Sequence, residues 1–333
     1  MKRMFVLALA AVTLACNKNI SLVVDDVETA LGELSVTMQM EAVMSKSIED
    51  EYALLDGEKV VNSVSVLVFD KKSTCLAAAM TVRSITEKCT MSLPEGEKKV
   101  YVVVNHPDVS SVTEIADVQN LADDLTATSL RSDGLMMIGT ADCIVLAGKT
   151  AEAYVALKRL VSRVVLQKVT CSLPSQYKDM RLDCVFLGNA NTKQDFCGIS
   201  SVMQNRKGYF GNPSYPIGKG TTVGACPEYF YRAAGEVIVN GDSSKDKYYL
   251  YCQPDSSEDV TCMYLLMTIG TEQFYYIVPL YNGLRSNHTY SVDVEIVNLG
   301  SDLPPDGETG KGELKAFVEF GPWDAGDSYD VIF

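Results

Sequence analysis

The chain has 333 residues, 47% of them hydrophobic and 22% charged, with a formal net charge of −14. That length suits about two domains and that composition a globular core, which excludes a disordered or collagen-like chain. The acidity excludes nucleic acid as a partner, since phosphate binding needs a basic surface, and only His106 and His288 are available for imidazole chemistry.

Residues 1–15 begin with Lys2 and Arg3, run apolar from Met4 to Leu14 and place Ala15 before Cys16. The run is too short to span a bilayer and reads as a secretory signal. Cys16 after Leu14-Ala15 resembles a bacterial lipobox, with Thr13 where leucine is more usual. The implied product begins at Cys16, is lipidated there, and carries −16 once Lys2 and Arg3 are gone (−14 minus 2). An ordinary signal peptide cut nearby is the alternative. Residues 16–30 read as a polar tether. No later apolar run is long enough to cross a membrane as a helix.

From residue 34 the chain reads as strands. Leu34, Val36, Met38, Met40, Ala42 and Met44 alternate with polar residues, the signature of a strand with one buried face. In residues 60–70, Val64, Val66 and Val68 fall on one face and Leu67 and Phe69 on the other. A third strand is expected over 98–105. Ser111 with Glu114 has capping-box spacing, and Ile115, Val118, Ala122 and Leu125 repeat helically, predicting a helix over about 111–125. Strands resume near 144–146 and 154–157.

The segment 157–169 fits neither a helical nor an alternating pattern, but its valines and leucines favour a long strand. Arg159 and Arg163 would then share a face, where they could pair with some of the 43 acidic side chains; a solvated face is the favoured reading. The domain boundary is placed here, giving an N-terminal β-domain over 31–156 and a C-terminal one over 157–333. Further strands are expected near 181–188, 247–253, 261–269, 273–280 and 288–298. The stretch 205–235 is a Gly-, Pro- and aromatic-rich loop. The tail alternates again, at Leu314, Ala316, Val318 and Phe320, then at Tyr329, Val331 and Phe333.

Nine cysteines remain besides Cys16, so not all can pair within the chain. Cys171/Cys184 and Cys252/Cys262 are spaced to bridge a hairpin, and burial as small apolar side chains is the alternative. There is no C-x-x-C, G-x-S-x-G, H-E-x-x-H or calcium loop, and the glycines around Lys219 and Lys311 lack the P-loop spacing. No catalytic residue, metal site or cofactor is therefore assigned, and the chain is not expected to be an enzyme.

Several landmarks in order carry a resemblance: the lipobox at Cys16, VNSVSVLVFD (61–70), KKVYVVVN (98–105), LKRLVSRVVL (157–166), HTYSVDVEIVNLGS (288–301), the DLPPD stretch and Trp323 in FGPWD. Together they resemble the FimA/Mfa fimbrial subunits of Bacteroidetes, which build type V pili, over nearly the whole mature chain. The resemblance implies an all-β fold of two transthyretin-like Greek-key β-sandwich domains with one or two short helices. It implies export as an outer-membrane lipoprotein, removal of the first strand by a maturation protease, and filling of the vacated groove by a strand of a neighbouring subunit. On this reading the displaced strand carries Leu34, Val36, Met38, Met40, Ala42 and Met44. The cut falls between Lys46 and Ser47, and the donor comes from Leu314–Phe320 or Tyr329–Phe333. The family's cuts usually follow arginine, whereas Lys46 is the only basic residue between Lys18 and Lys59. A different protease, or an uncut lipidated subunit that anchors the fibre, fits that departure. The implied partners are other fimbrial subunits, the protease and the outer membrane through the lipid, with a role in adhesion.

Two other functions stay open at this level. A surface glycan-binding lipoprotein of a polysaccharide-uptake system would need exposed aromatics, for which Tyr209, Phe210, Tyr215, Tyr229 and Tyr231 are candidates. A surface hydrolase would need paired carboxylates, and nothing marks a pair.

Overall fold

The computed structural model describes residues 30–40, 54–125, 127–130, 132–188, 190–196, 228–255, 260–281, 283–302, 314–323 and 327–332. The chain is nearly all β.

In the N-terminal half, β1 (Leu31–Met40) lies between β4 (Cys89–Pro94) and β8 (Thr150–Arg159), antiparallel to the first and parallel to the second. Alternation sets which face each strand buries. Leu34, Val36 and Met38 of β1, Cys89, Met91 and Leu93 of β4, and Ala153, Val155 and Leu157 of β8 all face one core. Their neighbours Glu33, Thr37, Thr90, Ser92, Glu152 and Tyr154 face solvent.

The opposing layer is β3 (Leu76–Val82), β2 (Val64–Asp70), β5 (Gly96–Val104) and β7 (Met137–Val145), in that order. β2 is buried on both faces. Val64, Val66 and Val68 join the core against β1, while Leu67 and Phe69 pack with Tyr101, Val103 and Val118 under helix α1 (Ile115–Asn120). β7 and β8 form a hairpin whose strands pair only at Met137↔Arg159 and Ile138↔Lys158, so each joins a different layer. Gly139 permits the crossing, because a Cβ there would stand 2.3 Å from the Ala156 carbonyl oxygen.

In the C-terminal half, one sheet runs β12 (Tyr231–Val239), β10 (Asp179–Gly188), β14 (Cys262–Ile269), β15 (Glu272–Pro279). The other runs β13 (Tyr248–Cys252), β9 (Ser162–Cys171), β16 (His288–Ile296), β17 (Leu314–Pro322), β18 (Asp327–Ile332). Between them Val164, Leu166, Met180, Leu182, Met263, Leu265, Val292 and Val318 form one apolar core. Two short strands join the halves, β6 (Ala122–Asp124) pairing with β11 (Lys193–Asp195).

Three expectations are corrected. The helix is shorter than 111–125. Glu114 caps it, and the Asp117 carboxylate accepts hydrogen bonds from the Thr113 and Glu114 N–H groups at 2.8 and 3.0 Å. Ala122 belongs instead to the ladder with β11, where pairing across the halves outcompetes another helical turn. No disulfide joins Cys171 to Cys184 or Cys252 to Cys262; all four are buried, as the alternative reading had them. The segment 157–169 is not one strand with a solvated arginine face. It breaks at Leu160-Val161 between β8 and β9, and both Arg159 and Arg163 are buried.

Candidate functional site

The expected displaced strand occupies a slot between two neighbours. β1 pairs with β8 from Glu33↔Thr150 to Met40↔Leu157, and with β4 from Leu31↔Pro94 to Val36↔Cys89. Leu34 and Val36 are fully buried, Met38 nearly so, and Met40 is half-buried. At ~1.5–3 kcal/mol per large apolar side chain, the first three contribute roughly 5–9 kcal/mol. The polar side-chain tie to this slot is slight, an exposed hydrogen bond from the Thr150 hydroxyl to Glu33 at 3.3 Å. Cys16, Ala42, Met44, Lys46 and Ser47 lie outside the described residues.

The donor candidates fall on two strands. Leu314, Ala316 and Val318 of β17 are buried in the C-terminal core, and β17 pairs with both β16 and β18. Phe320 is also on β17, opposite Tyr290 of β16. Tyr329 and Val331 are on β18, which is an edge strand paired with β17 alone among the described residues. Phe333 lies outside the described residues.

Between these two regions sits a buried cluster that sequence reading missed. Glu58, in a 3-10 turn at Asp56–Lys59, meets Arg163 of β9, and both side chains are fully buried. Arg163 Nη1 donates to the two Glu58 carboxylate oxygens at 3.1 and 3.0 Å, Nε to the Thr289 hydroxyl at 3.0 Å, and Nη2 to the Trp323 carbonyl at 3.5 Å. The Arg163 and Arg159 guanidinium carbons lie 4.5 and 4.9 Å from the centre of the buried Trp323 ring. Such contacts suit the ring's negative face. Tyr251 donates its hydroxyl to Glu58 at 2.7 Å, and burial followed by the Glu58 charge pushes that phenol up. The only local signal was an arginine set in a run of buried aliphatics, since the partners stand 105, 126 and 160 residues away.

A second buried polar contact lies beside the β6–β11 ladder. Gln253 Nε2 donates to the Asp123 carboxylate at 2.7 Å. Burial raises the Asp123 pKa from the ordinary 3.8 to about 6, against the Gln253 hydrogen bond, with the neighbouring Asp124 charge adding to the rise.

Other candidate chemistry finds little support in the geometry. Tyr229 is fully buried, edge-on to Tyr251 with ring centres 6.0 Å apart, and so presents no stacking surface to a glycan; Tyr231 is half-buried, and Tyr209, Phe210 and Tyr215 lie outside the described residues. Among the described residues no group of three His, Cys, Asp or Glu could hold a metal, and no helix is long and apolar enough to cross a membrane.

These features define a class: an all-β protein in which, among the described residues, the first strand fills a slot between two others and the last lies on a sheet edge. Residues 33–160 match the family model described as major fimbrial subunit protein (FimA). Solved structures extend the likeness over both halves. Fimbrilin (FimA) from Porphyromonas gingivalis is 14% identical with a TM-score of 0.58, over 90% of this chain and 98% of that one. The tip fimbrial protein Mfa3 of the same organism is 14% identical with a TM-score of 0.52, over 88% and 100%. A cell-adhesion candidate from Bacteroides eggerthii is 16% identical with a TM-score of 0.61, over 88% and 96%. At such identities these structures establish a shared fold. No curated protein sequence matches the chain.

Proposed function

We propose that this protein is a structural subunit of a cell-surface fimbria, contributing to adhesion and polymerising with other fimbrial subunits by strand exchange. The observation that carries the reading is the placement of β1. It is the first strand of the region that matches the FimA family model, it lies between β4 and β8, and its apolar face seals the core. Its loss would bare two ladder edges and an apolar groove, and an incoming strand would restore both.

The subunit consists of two sandwich domains of transthyretin-like, Greek-key type, over residues 31–156 and 157–333. It is exported, lipidated at Cys16 and held at the outer membrane. A maturation protease cuts between Lys46 and Ser47, which frees the strand that carries Leu34 to Met44. The tail after Leu314 supplies the donor.

The test is trypsin treatment of the purified precursor, followed by mass spectrometry and native gels. Cleavage after Lys46 and a ladder of oligomers are expected. A chain clipped at Lys46 that stays monomeric would overturn strand exchange.

A further inference from the structure

Resting on the strand-exchange reading, we infer that the buried Glu58–Arg163–Trp323 cluster is the fixed anchor of assembly, with Arg163 as a positioning residue that separates the segments that move from those that stay. The first helical turn described after β1 and the turn between β17 and β18 meet at this one place. Glu58 follows the expected cut in the chain, and Trp323 stands between β17 and β18. Arg163 holds both, Glu58 through its carboxylate and Trp323 through its carbonyl and its ring.

The consequence for the receiving side is that departure of β1 stops short of the 3-10 turn. Glu58 also accepts a hydrogen bond from the Leu55 N–H at 2.8 Å, which ties the turn to the same ion pair. On the donor side, a second bracket fixes Trp323. Its N–H donates to the Asn287 carbonyl at 2.8 Å, the Asn287 N–H donates to Val161 at 3.0 Å, and the Asn287 side-chain oxygen accepts from the Arg159 N–H at 3.3 Å. β17 leads directly into this bracket and buries Leu314, Ala316 and Val318. Freeing β17 would empty the core and strip Arg163 of contacts, whereas freeing β18 breaks a single ladder at the sheet edge. The donor is therefore the segment after Trp323, and β17 remains in its own subunit.

Two cysteine-pair locks in the full chain test this, each confirmed by peptide mass spectrometry. Glu295→Cys with Lys315→Cys staples β17 to β16 at a register pair whose side chains already meet at 3.1 Å. Glu319→Cys with Ser328→Cys staples β18 to β17 at a register pair. After trypsin, the first lock should polymerise like the parent, and the second should stay monomeric until reduced. Polymerisation blocked by the first lock would overturn the anchor while leaving strand exchange intact. Polymerisation unaffected by either lock would overturn the tail as donor, and the anchor with it.

A third variant, Glu58→Gln, addresses Arg163 directly. Weakening the buried pair should raise hydrogen exchange of β17 amides roughly 100-fold more than that of β10 and β14 amides. A uniform rise across all three strands would reduce the cluster to ordinary core and overturn its anchoring role.

Discussion

Asp123 makes the stability of this protein pH-dependent in a direction opposite to that of most carboxylates. Burial beside the ladder that joins the halves raises its pKa from 3.8 to about 6. Because the folded state holds the proton more tightly than the unfolded chain, Asp123 contributes most below pH 3.8. That contribution is lost as pH rises through about 6. The gap between the two values corresponds to about 3 kcal/mol at ~1.4 kcal/mol per pH unit. Asp123→Asn removes the titration and keeps an oxygen to accept from Gln253 Nε2. It also supplies an N–H near Gln253 Oε1, which has no hydrogen-bond partner among the described residues. The variant should match the parent at pH 4 and exceed it by up to about 3 kcal/mol at pH 7. Urea unfolding followed by the fluorescence of Trp323, the sole tryptophan, reads this at the junction. The many other carboxylates cancel in the difference between the two proteins. A stability difference that stays constant from pH 4 to pH 8 would refute the assignment of the raised pKa to Asp123.

Leu34→Ala should destabilise the precursor by about 2–5 kcal/mol in urea, because the side chain is fully buried against the N-terminal core. Polymers made after the strand is removed should have the same stability as the parent's. Glu58→Ala leaves Arg163 buried without a counter-charge and should cost about 3–5 kcal/mol, much of which Glu58→Ala combined with Arg163→Met recovers; a double-mutant cycle by chemical denaturation measures the difference. Gly139→Ala places a Cβ 2.3 Å from the Ala156 carbonyl oxygen, and thermal melts should show a loss of about 1–3 kcal/mol or more.

Sequence reading could assign buried faces where one periodicity runs unbroken. In β1 the buried set is the alternating set, and in β2 the two faces divide as Val64-Val66-Val68 and Leu67-Phe69. The segment 157–169 resisted both patterns for two local reasons visible in the pairing. The chain passes between sheets at Leu160-Val161. A register shift between Val292 and Asp293 then leaves Gln167 with no residue opposite it in the β9–β16 register, so the inward residues run Val164, Leu166, Val169, Cys171. β10 hides its pattern in the same way, with a shift between Leu182 and Cys184. β3 was missed because LAAAMTV alternates only between half-buried and exposed, which leaves little hydrophobic contrast. The Glu58–Arg163 pair was out of reach for a different reason. A buried charge takes its meaning from its partner, and no local period encodes a contact across 105 residues.

An interior place in a sheet does not by itself make a strand permanent; what matters is whether the chain must pass through it to reach the rest of the fold. β1 lies inside the ladder order, flanked by β4 and β8, yet it is the first strand of the described chain. Once the backbone is cut beyond Met44, no later element depends covalently on β1, so its departure requires no unthreading. A strand in the middle of the chain, such as β5, could not leave without pulling β4 or α1 with it. The replacement must also satisfy two neighbours of opposite sense, antiparallel to β4 and parallel to β8. A donor in the orientation of β1 meets both at once, whereas a reversed donor would have to rebuild both ladders. The proposed strand exchange should therefore preserve direction. Disulfide trapping of a donor cysteine against Ser92 of β4 and Glu152 of β8, each replaced by cysteine, reads that direction from which end of the donor is captured.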